Sequence, residues 1–169
     1  PEVPSAEVIL EVRNLNRGKV LRDINFSLMK GEILGFAGLM GAGRTEVARA
    51  IFGADEYDSG EIYIKGQRAH IKSPGDAVTC GVGYLSEDRK RYGLALGMDV
   101  KENIVMSTMK KFMSWFGWMD FKKTITRGQE MVKALNIKTP NLEQKVKFLS
   151  GGNQQKVVVG KWLTADTDI

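Results

Sequence analysis

Cysteine and histidine are nearly missing from this chain: Cys80 and His70 are single instances in 169 residues. A lone cysteine closes no internal disulfide, and no Cys/His cluster has zinc spacing. A single histidine argues against a His-based triad or metal site. No apolar run approaches the ~18 residues of a membrane span. Pro1-Glu2-Val3-Pro4-Ser5 lacks the basic start and apolar stretch of a signal peptide. It also lacks Met, so a processed or excised start is expected, in a cytosolic protein with room to sit on a membrane partner. Internal repeats and low-complexity segments are missing too. Disorder is excluded by a mix of 43% hydrophobic and 27% charged residues. The length suits one domain, or a domain with a small subdomain, and buries a core without staples. Glycine is what the chain has in excess, 19 of 169 residues against a usual ~7%. The net charge of +5 is compatible with nucleic acid, anionic lipid or a phosphorylated ligand, and equally with an ordinary basic surface.

The first third reads as strands. Val8 to Val12 is apolar and β-branched, and Ile24, Phe26 and Leu28 alternate with polar neighbours, the period of a half-buried strand. Ile33-Leu34-Gly35-Phe36-Ala37 has the continuous apolar character of a strand covered on both faces. Val47, Ala48, Ile51 and Phe52 fall on one helical face, and Gly53 is placed to stop that helix. Asp58-Ser59-Gly60 reads as a turn before a strand at Ile62-Tyr63-Ile64. Ser73-Pro74 reads as an N-cap with Pro at the first helical position, and Val82-Gly83-Tyr84-Leu85 as one more short strand. Six of the eight Met lie between Met98 and Met131. There Val100–Met113 and Ile125–Ile137 read as helices, with Met131, Val132 and Leu135 on one stripe. The expected organisation is an α/β core over 1–97, a helical subdomain over 98–148, and a helix returning to the core over 149–169.

Gly38-Leu39-Met40-Gly41-Ala42-Gly43-Arg44-Thr45 sits between an apolar run and a helix. It fits the phosphate-loop pattern G-x-x-x-x-G-K-[ST] except that Arg44 stands where the lysine belongs. Glycines let successive N–H groups converge on phosphate oxygens, the helix adds its positive dipole end, and Thr45 offers a hydroxyl to Mg²⁺. Arginine is longer, planar and forked, so charge compensation survives better than transition-state geometry. A glycine-rich strand-to-helix turn with no ligand is the alternative.

Leu149-Ser150-Gly151-Gly152-Asn153-Gln154-Gln155-Lys156 opens a second helix. Ser150 and the two glycines leave N–H groups free at a positive dipole end, a second anion site; an N-capped helix and nothing more is the alternative. This stretch resembles the LSGGQ signature of ATP-binding-cassette (ABC) ATPases, and it follows the phosphate loop in that family's order, across a helical subdomain. With Ser86-Glu87-Asp88-Arg89-Lys90-Arg91, and with Asn153 where most ABC proteins have Gln, the chain resembles one group from about Ile9 to Ile169. That group is the second nucleotide-binding half of tandem ATP-binding subunits of bacterial ribose- and galactose-type importers.

The resemblance implies the P-loop NTPase fold of ABC type, a mixed sheet core with an inserted helical subdomain. It implies ATP and Mg²⁺ as ligands, with nucleotide at Gly38–Thr45 and a Q-loop region at Ser86 and Glu87. The signature Leu149–Gln154 would act in trans on nucleotide held by the first nucleotide-binding half. Partners would be that half, the transmembrane sugar permease and, indirectly, a periplasmic sugar-binding protein, on the cytoplasmic face of the inner membrane, with no nucleic acid. The chain departs from the family at Asn16-Arg17-Gly18, which lacks an adenine-stacking aromatic, and at Ser86-Glu87, where the Q-loop glutamine belongs. It stops at Thr167-Asp168-Ile169, where the resemblance places the Walker-B-type Asp and catalytic Glu, so no catalytic residue is identifiable and a piece of a longer subunit is expected. Alternatives are a regulatory nucleotide-binding module and an ABC ATPase acting on nucleic acid or ribosomes. Residues 106–123, rich in Met, aromatics and Lys, read either as subdomain core with a solvated lysine face or as a permease docking surface. Direct bilayer contact ranks last, because the apolar residues form no one-sided helical stripe.

Overall fold

The structure, a computed structural model, describes residues 5–169. The chain folds as two compact units, one of residues up to Tyr84 with Asp168–Ile169, the other Leu85–Thr167. Among the described residues no helix is long and apolar enough to cross a membrane.

The first unit is built on a four-stranded sheet. Strand β1 (Val8–Arg17) pairs antiparallel with β2 (Leu21–Met29) on one edge and with β3 (Ser59–Ile64) on the other, and β3 pairs antiparallel with the short β4 (Gln67–Arg68). Leu10 and Val12 point into the core by strict alternation, but the next buried residue is Leu15. The phase slips because Asn14 takes a left-handed backbone (φ 49°), and both ladders shift register beyond Val12. Side chains hold the slip: Asn14 donates from its amide to Asp23 Oδ1 at 2.7 Å, and its N–H to Asn25 Oδ1 at 2.8 Å. Strand β3 starts at Ser59, inside the expected turn.

Helix α1 (Arg44–Ile51) buries Val47, Ala50 and Ile51. It stops at Gly53, whose φ of +68° suits glycine, and where a Cβ would lie 2.8 Å from the Ser73 carbonyl oxygen. Its last turn is tied down by charge. Arg49 reaches Asp55 with two bonds of 2.6 and 2.8 Å, and Arg17, at the end of β1, meets the same carboxylate at 2.6 Å. This pair of guanidiniums, Arg49 first, holds the Asp55 carboxyl below the usual aspartate range. Helix α2 (Pro74–Thr79) has the expected cap, Ser73 Oγ accepting from the Asp76 N–H.

Two expected strands do not form. Ile33–Ala37 is apolar enough, but no strand among the described residues ladders with it, and Ile33 is 95% exposed. An apolar run without a hydrogen-bonding neighbour is not a strand. It borders an apolar cleft of about 380 Å³ lined by Phe26, Phe36, Arg44 and Ile51 among others. Val82 is buried, but its N–H turns back to the Ala77 carbonyl at 2.9 Å, and its segment reaches the chain end through the Gly83 N–H, which donates to the Ile169 carbonyl at 2.7 Å.

The second unit packs helices around Val100, Ile104, Val105, Val146, Val157 and Val158. Each fully buried aliphatic side chain there contributes roughly 1.5–3 kcal/mol. Helix α3 (Val100–Val105) opens with a capping box: Asp99 Oδ1 accepts from the Glu102 N–H at 2.8 Å, and Glu102 Oε2 accepts from the Asp99 N–H at 3.0 Å. The expected helix to Met113 breaks after Val105 into a 3₁₀ stretch, Met106–Phe112, in which Thr108 leaves helical geometry. Helix α4 (Phe121–Ala134) starts four residues before Ile125, because Asp120 caps it by accepting from the Lys123 N–H. Met131, Val132 and Leu135 do pack on the core. Asn103 is fully buried and brackets the preceding loop, bonding the N–H and carbonyl of Ala95 and the Asp99 carbonyl. Helix α5 (Gly151–Ala165) carries the signature segment at its start. The aromatics of residues 113–121 are not core: Trp115, Phe116 and Trp118 are 97%, 84% and 74% exposed.

Candidate functional site

The glycine loop lies in the first unit and enters α1 through Gly43, which is buried with φ +85°. A Cβ on Gly43 would lie 3.3 Å from Leu21 Cδ2 and from the Val20 carbonyl oxygen, so the β1–β2 turn forms the floor of the loop. Gly41 is also left-handed, and a Cβ on Gly38 would lie 2.8 Å from that of Ala42. Within the loop one N–H is engaged, Ala42 donating to the Leu39 carbonyl at 3.0 Å. Those of Gly41, Gly43, Arg44 and Thr45 find no acceptor among the described residues, while Val47 begins the helical ladder on the Gly43 carbonyl. These four donors and the dipole of α1 make an anion-receptive concavity. Leu39 and Met40 stand in solvent and contribute backbone only. Arg44 is exposed and forms no ion pair among the described residues, so its charge is available to a phosphate. Thr45 is half-buried. No group of three His, Cys, Asp or Glu among the described residues could hold a metal ion. The Thr45 hydroxyl is the side-chain oxygen of this loop that could join the ligands of a Mg²⁺ bound with phosphate.

The signature segment lies in the second unit. Ser150 is extended at the N-cap, but its hydroxyl caps no backbone N–H. It accepts instead from the Asn153 amide at 2.9 Å, which leaves its own proton free to donate. Asn153 Oδ1 in turn accepts from the Lys138 N–H at 2.8 Å, tying the first turn of α5 to the chain after α4. The N–H groups of Gly151, Gly152 and Asn153 have no partner among the described residues, and the space over Gly152 is open. Gln154 does not share in this surface. It is buried, donates to the Val146 carbonyl at 3.1 Å, and accepts from Arg89 Nε at 3.4 Å. Leu149 packs against the core.

Sequence reasoning missed the residues behind the signature. Arg89–Gly93 is a single π-type turn capped by Asp88 and fastened to α5. A Cβ on Gly151 would lie 2.7 Å from Arg89 Nη2, and one on Gly93 would lie 3.3 Å from Val158. Lys161 is buried and donates to the Gly93 carbonyl at 2.7 Å. Burial pushes its pKa down to about 8. Ser86 is buried and accepts from the Asp88 N–H, while Glu87 is exposed. A contact sixty residues apart, such as Arg89 with Gly151, leaves no local periodicity to detect.

Residues 21–169 match the family described as ABC transporter. A protein of Albidiferax ferrireducens, named as a ribose/galactose/methyl galactoside import ATP-binding protein, is 57% identical over all 169 residues, which make up 34% of its length. A similarly named protein of Burkholderia lata is 54% identical over 169 residues, 33% of its length. The chain thus spans about a third of the length of the curated relatives it matches. Among solved structures, a dimeric bacterial ABC transporter cassette aligns with TM-score 0.77 and 19% identity over 94% of this chain and 71% of that one. A nucleotide-free ATP-binding cassette from an ABC transporter aligns with TM-score 0.74 and 20% identity over 95% of this chain and 66% of that one. At such identities the likeness concerns fold. With a glycine loop feeding α1 and a serine-glycine signature opening α5, this chain belongs to the ABC transporter family and has the α/β fold of its ATP-binding cassettes.

Proposed function

We propose that this chain is the second ATP-binding half of a monosaccharide importer subunit, and that its two anion-receptive helix starts do unequal work. The signature, Ser150 with the N–H groups of Gly151 and Gly152, acts in trans on the γ-phosphate of ATP held by the first half. The loop Gly38–Thr45 binds Mg-ATP or ADP weakly. Two observations carry this reading: the uncapped but braced start of α5, with free donors over an open surface, and, in the other unit, a phosphate loop that holds Arg44 in place of lysine. Oriented donors of this kind stabilise charge developing in the transition state, and removal of one typically costs about 10²–10³ in rate. Gln154 serves as a positioning residue, since its side chain is turned inward. The names of the relatives support a ribose- or galactose-type cargo. The partners of this reading are the first half, the permease subunits and, indirectly, a periplasmic binding protein, at the cytoplasmic face of the inner membrane. Residues 1–169 by themselves do not turn over ATP. An ATPase acting on nucleic acid would instead bind DNA with steep salt dependence.

The test is an ordering of two variants in the full-length subunit with its permease. Gly151→Asp sets a carboxylate beside the phosphate and displaces the Arg89 guanidinium. Turnover and sugar uptake should fall by about 10²–10³ while nucleotide still binds the first half. Arg44→Ala should reduce turnover far less. The reverse order would sink the division of labour.

A further inference from the structure

Residues Phe112–Asp120 form a hairpin whose turn is held entirely by its own backbone and one serine. Its arms meet in an antiparallel bridge between Met113 and Met119. The Ser114 N–H donates to the Trp118 carbonyl at 2.7 Å, the Gly117 N–H to the Ser114 carbonyl at 2.9 Å, and the Asp120 N–H to the Phe112 carbonyl at 2.7 Å. Ser114 Oγ accepts from the Trp118 N–H at 3.2 Å. The aromatic side chains are not needed to fold this turn, and they stand out from it: Trp115, Phe116, Trp118 and then Phe121 are all exposed. Lysines bracket the tip, Lys110 and Lys111 before it and Lys122 and Lys123 after it, and Asp120 is the sole acidic residue from 106 to 123. That carboxylate is already engaged, capping α4 and facing Lys123 Nζ at 3.8 Å. Lys111 is engaged as well, on the Ala165 carbonyl at 3.3 Å. Lys110 and Lys122 are exposed and form no ion pair among the described residues.

We propose that the Trp115–Trp118 tip inserts into the interfacial layer of an anionic phospholipid bilayer, with Lys110 and Lys122 on the headgroups. Indole and phenyl rings, apolar in body with a polar edge on Trp, suit the boundary between headgroup and acyl chain. Lysines at that depth keep their ammonium groups among the phosphates. A helical stripe is required of a helix lying in the interface, not of a tight turn that enters it tip first. A protein partner would have to offer a pocket for rings drawn from successive positions of a turn, whereas a fluid layer closes round them. Excess positive charge on both sides of the tip matches a uniformly negative surface. Insertion of the tip needs no ATP, so vesicle binding and ATP turnover succeed or fail separately.

The full-length protein, carrying Trp162→Phe so that Trp115 and Trp118 report for this region, is mixed with vesicles of phosphatidylglycerol and phosphatidylethanolamine bearing brominated acyl chains. The tip tryptophans should be quenched and the protein should sediment with the vesicles without nucleotide. Phosphatidylcholine vesicles should bind much less. Lys110→Gln and Lys122→Gln should each lower the partition coefficient about fivefold, and Trp115→Ser with Trp118→Ser should abolish sedimentation while thermal unfolding stays unchanged. The proposal is overturned by unquenched tryptophans on anionic vesicles, by binding that survives the double Trp change, or by binding only to vesicles that contain the permease. The last result would assign the tip to a protein.

Discussion

Helix α1 and helix α5 both begin with backbone donors that no group among the described residues claims, yet they are anchored at opposite ends. The α5 start is braced from the side: Asn153 links Ser150 to Lys138, and Gln154 links the first turn to Val146 and Arg89. The α1 start has one internal turn bond and a floor of van der Waals contact, with its ionic anchor at the far end, where Arg49 and Arg17 converge on Asp55. Preorganised donors are worth most when nothing must rearrange as charge develops. In the proposed division of labour the braced helix start is the one assigned transition-state work, and the loosely floored one weak binding. Anchor position, not the presence of free N–H groups, separates the two.

The contrast is broken most forcefully at the anchors. Asp55→Ala strips a mostly buried carboxylate from two guanidiniums and should destabilise the first unit by about 3 kcal/mol, measured by urea unfolding, with little change in turnover of the assembled subunit. A matching loss of turnover would mean that the far-end anchor governs the site after all. The same pair fixes a pH trend. Asp55 is held below its ordinary pKa, so its contribution is complete above that ordinary value and fades as pH falls through the lowered one. Asp55→Asn should flatten this acid limb. Gln154→Leu leaves the Val146 carbonyl buried without its donor and should cost about 2 kcal/mol. Unlike Asp55→Ala, it should also lower turnover with KM for ATP unchanged; loss of stability alone would reduce the brace to packing. Arg44→Lys should tighten Mg-ATP binding a few-fold by calorimetry if guanidinium geometry limits the loop. No change would point to the missing adenine platform at Asn16–Gly18. Lys161 adds a pH trend of its own. Its ammonium is suppressed to about 8 against an ordinary 10.5, so the folded state binds fewer protons across that window and stability rises with pH through it. In Lys161→Met, urea midpoints at pH 7 and pH 10 should no longer differ by this increment.

What depended on neighbours in sequence was legible. Strand alternation at Ile24–Leu28, the Ser73 cap, the Gly53 stop and the apolar face of α1 all lie within a few residues of their cause. The two glycine-bearing helix starts were legible for the same reason. What depended on distant partners was not. Ile33–Ala37 has the composition of a buried strand but no ladder. The change to 3₁₀ geometry after Val105 and the non-helical backbone at Thr108 are marked by no helical period. The inward turn of Gln154 and the guanidinium against Gly151 require knowing that Arg89 meets α5. For Trp115 and Trp118 sequence left both core and docking surface open, since aromatic density suits either; a turn locked by its own backbone holds these rings in solvent.

Strand β1 is paired along both edges over Leu10–Val12, so its amides there have no opening route short of losing a whole ladder. In deuterium it should be the slowest segment of the first unit to label, exchanging at the rate of global unfolding. The unladdered run Ile33–Ala37 should label within the dead time, and so would mark the kinetic floor against which any ordering of that run in the assembled transporter can be read.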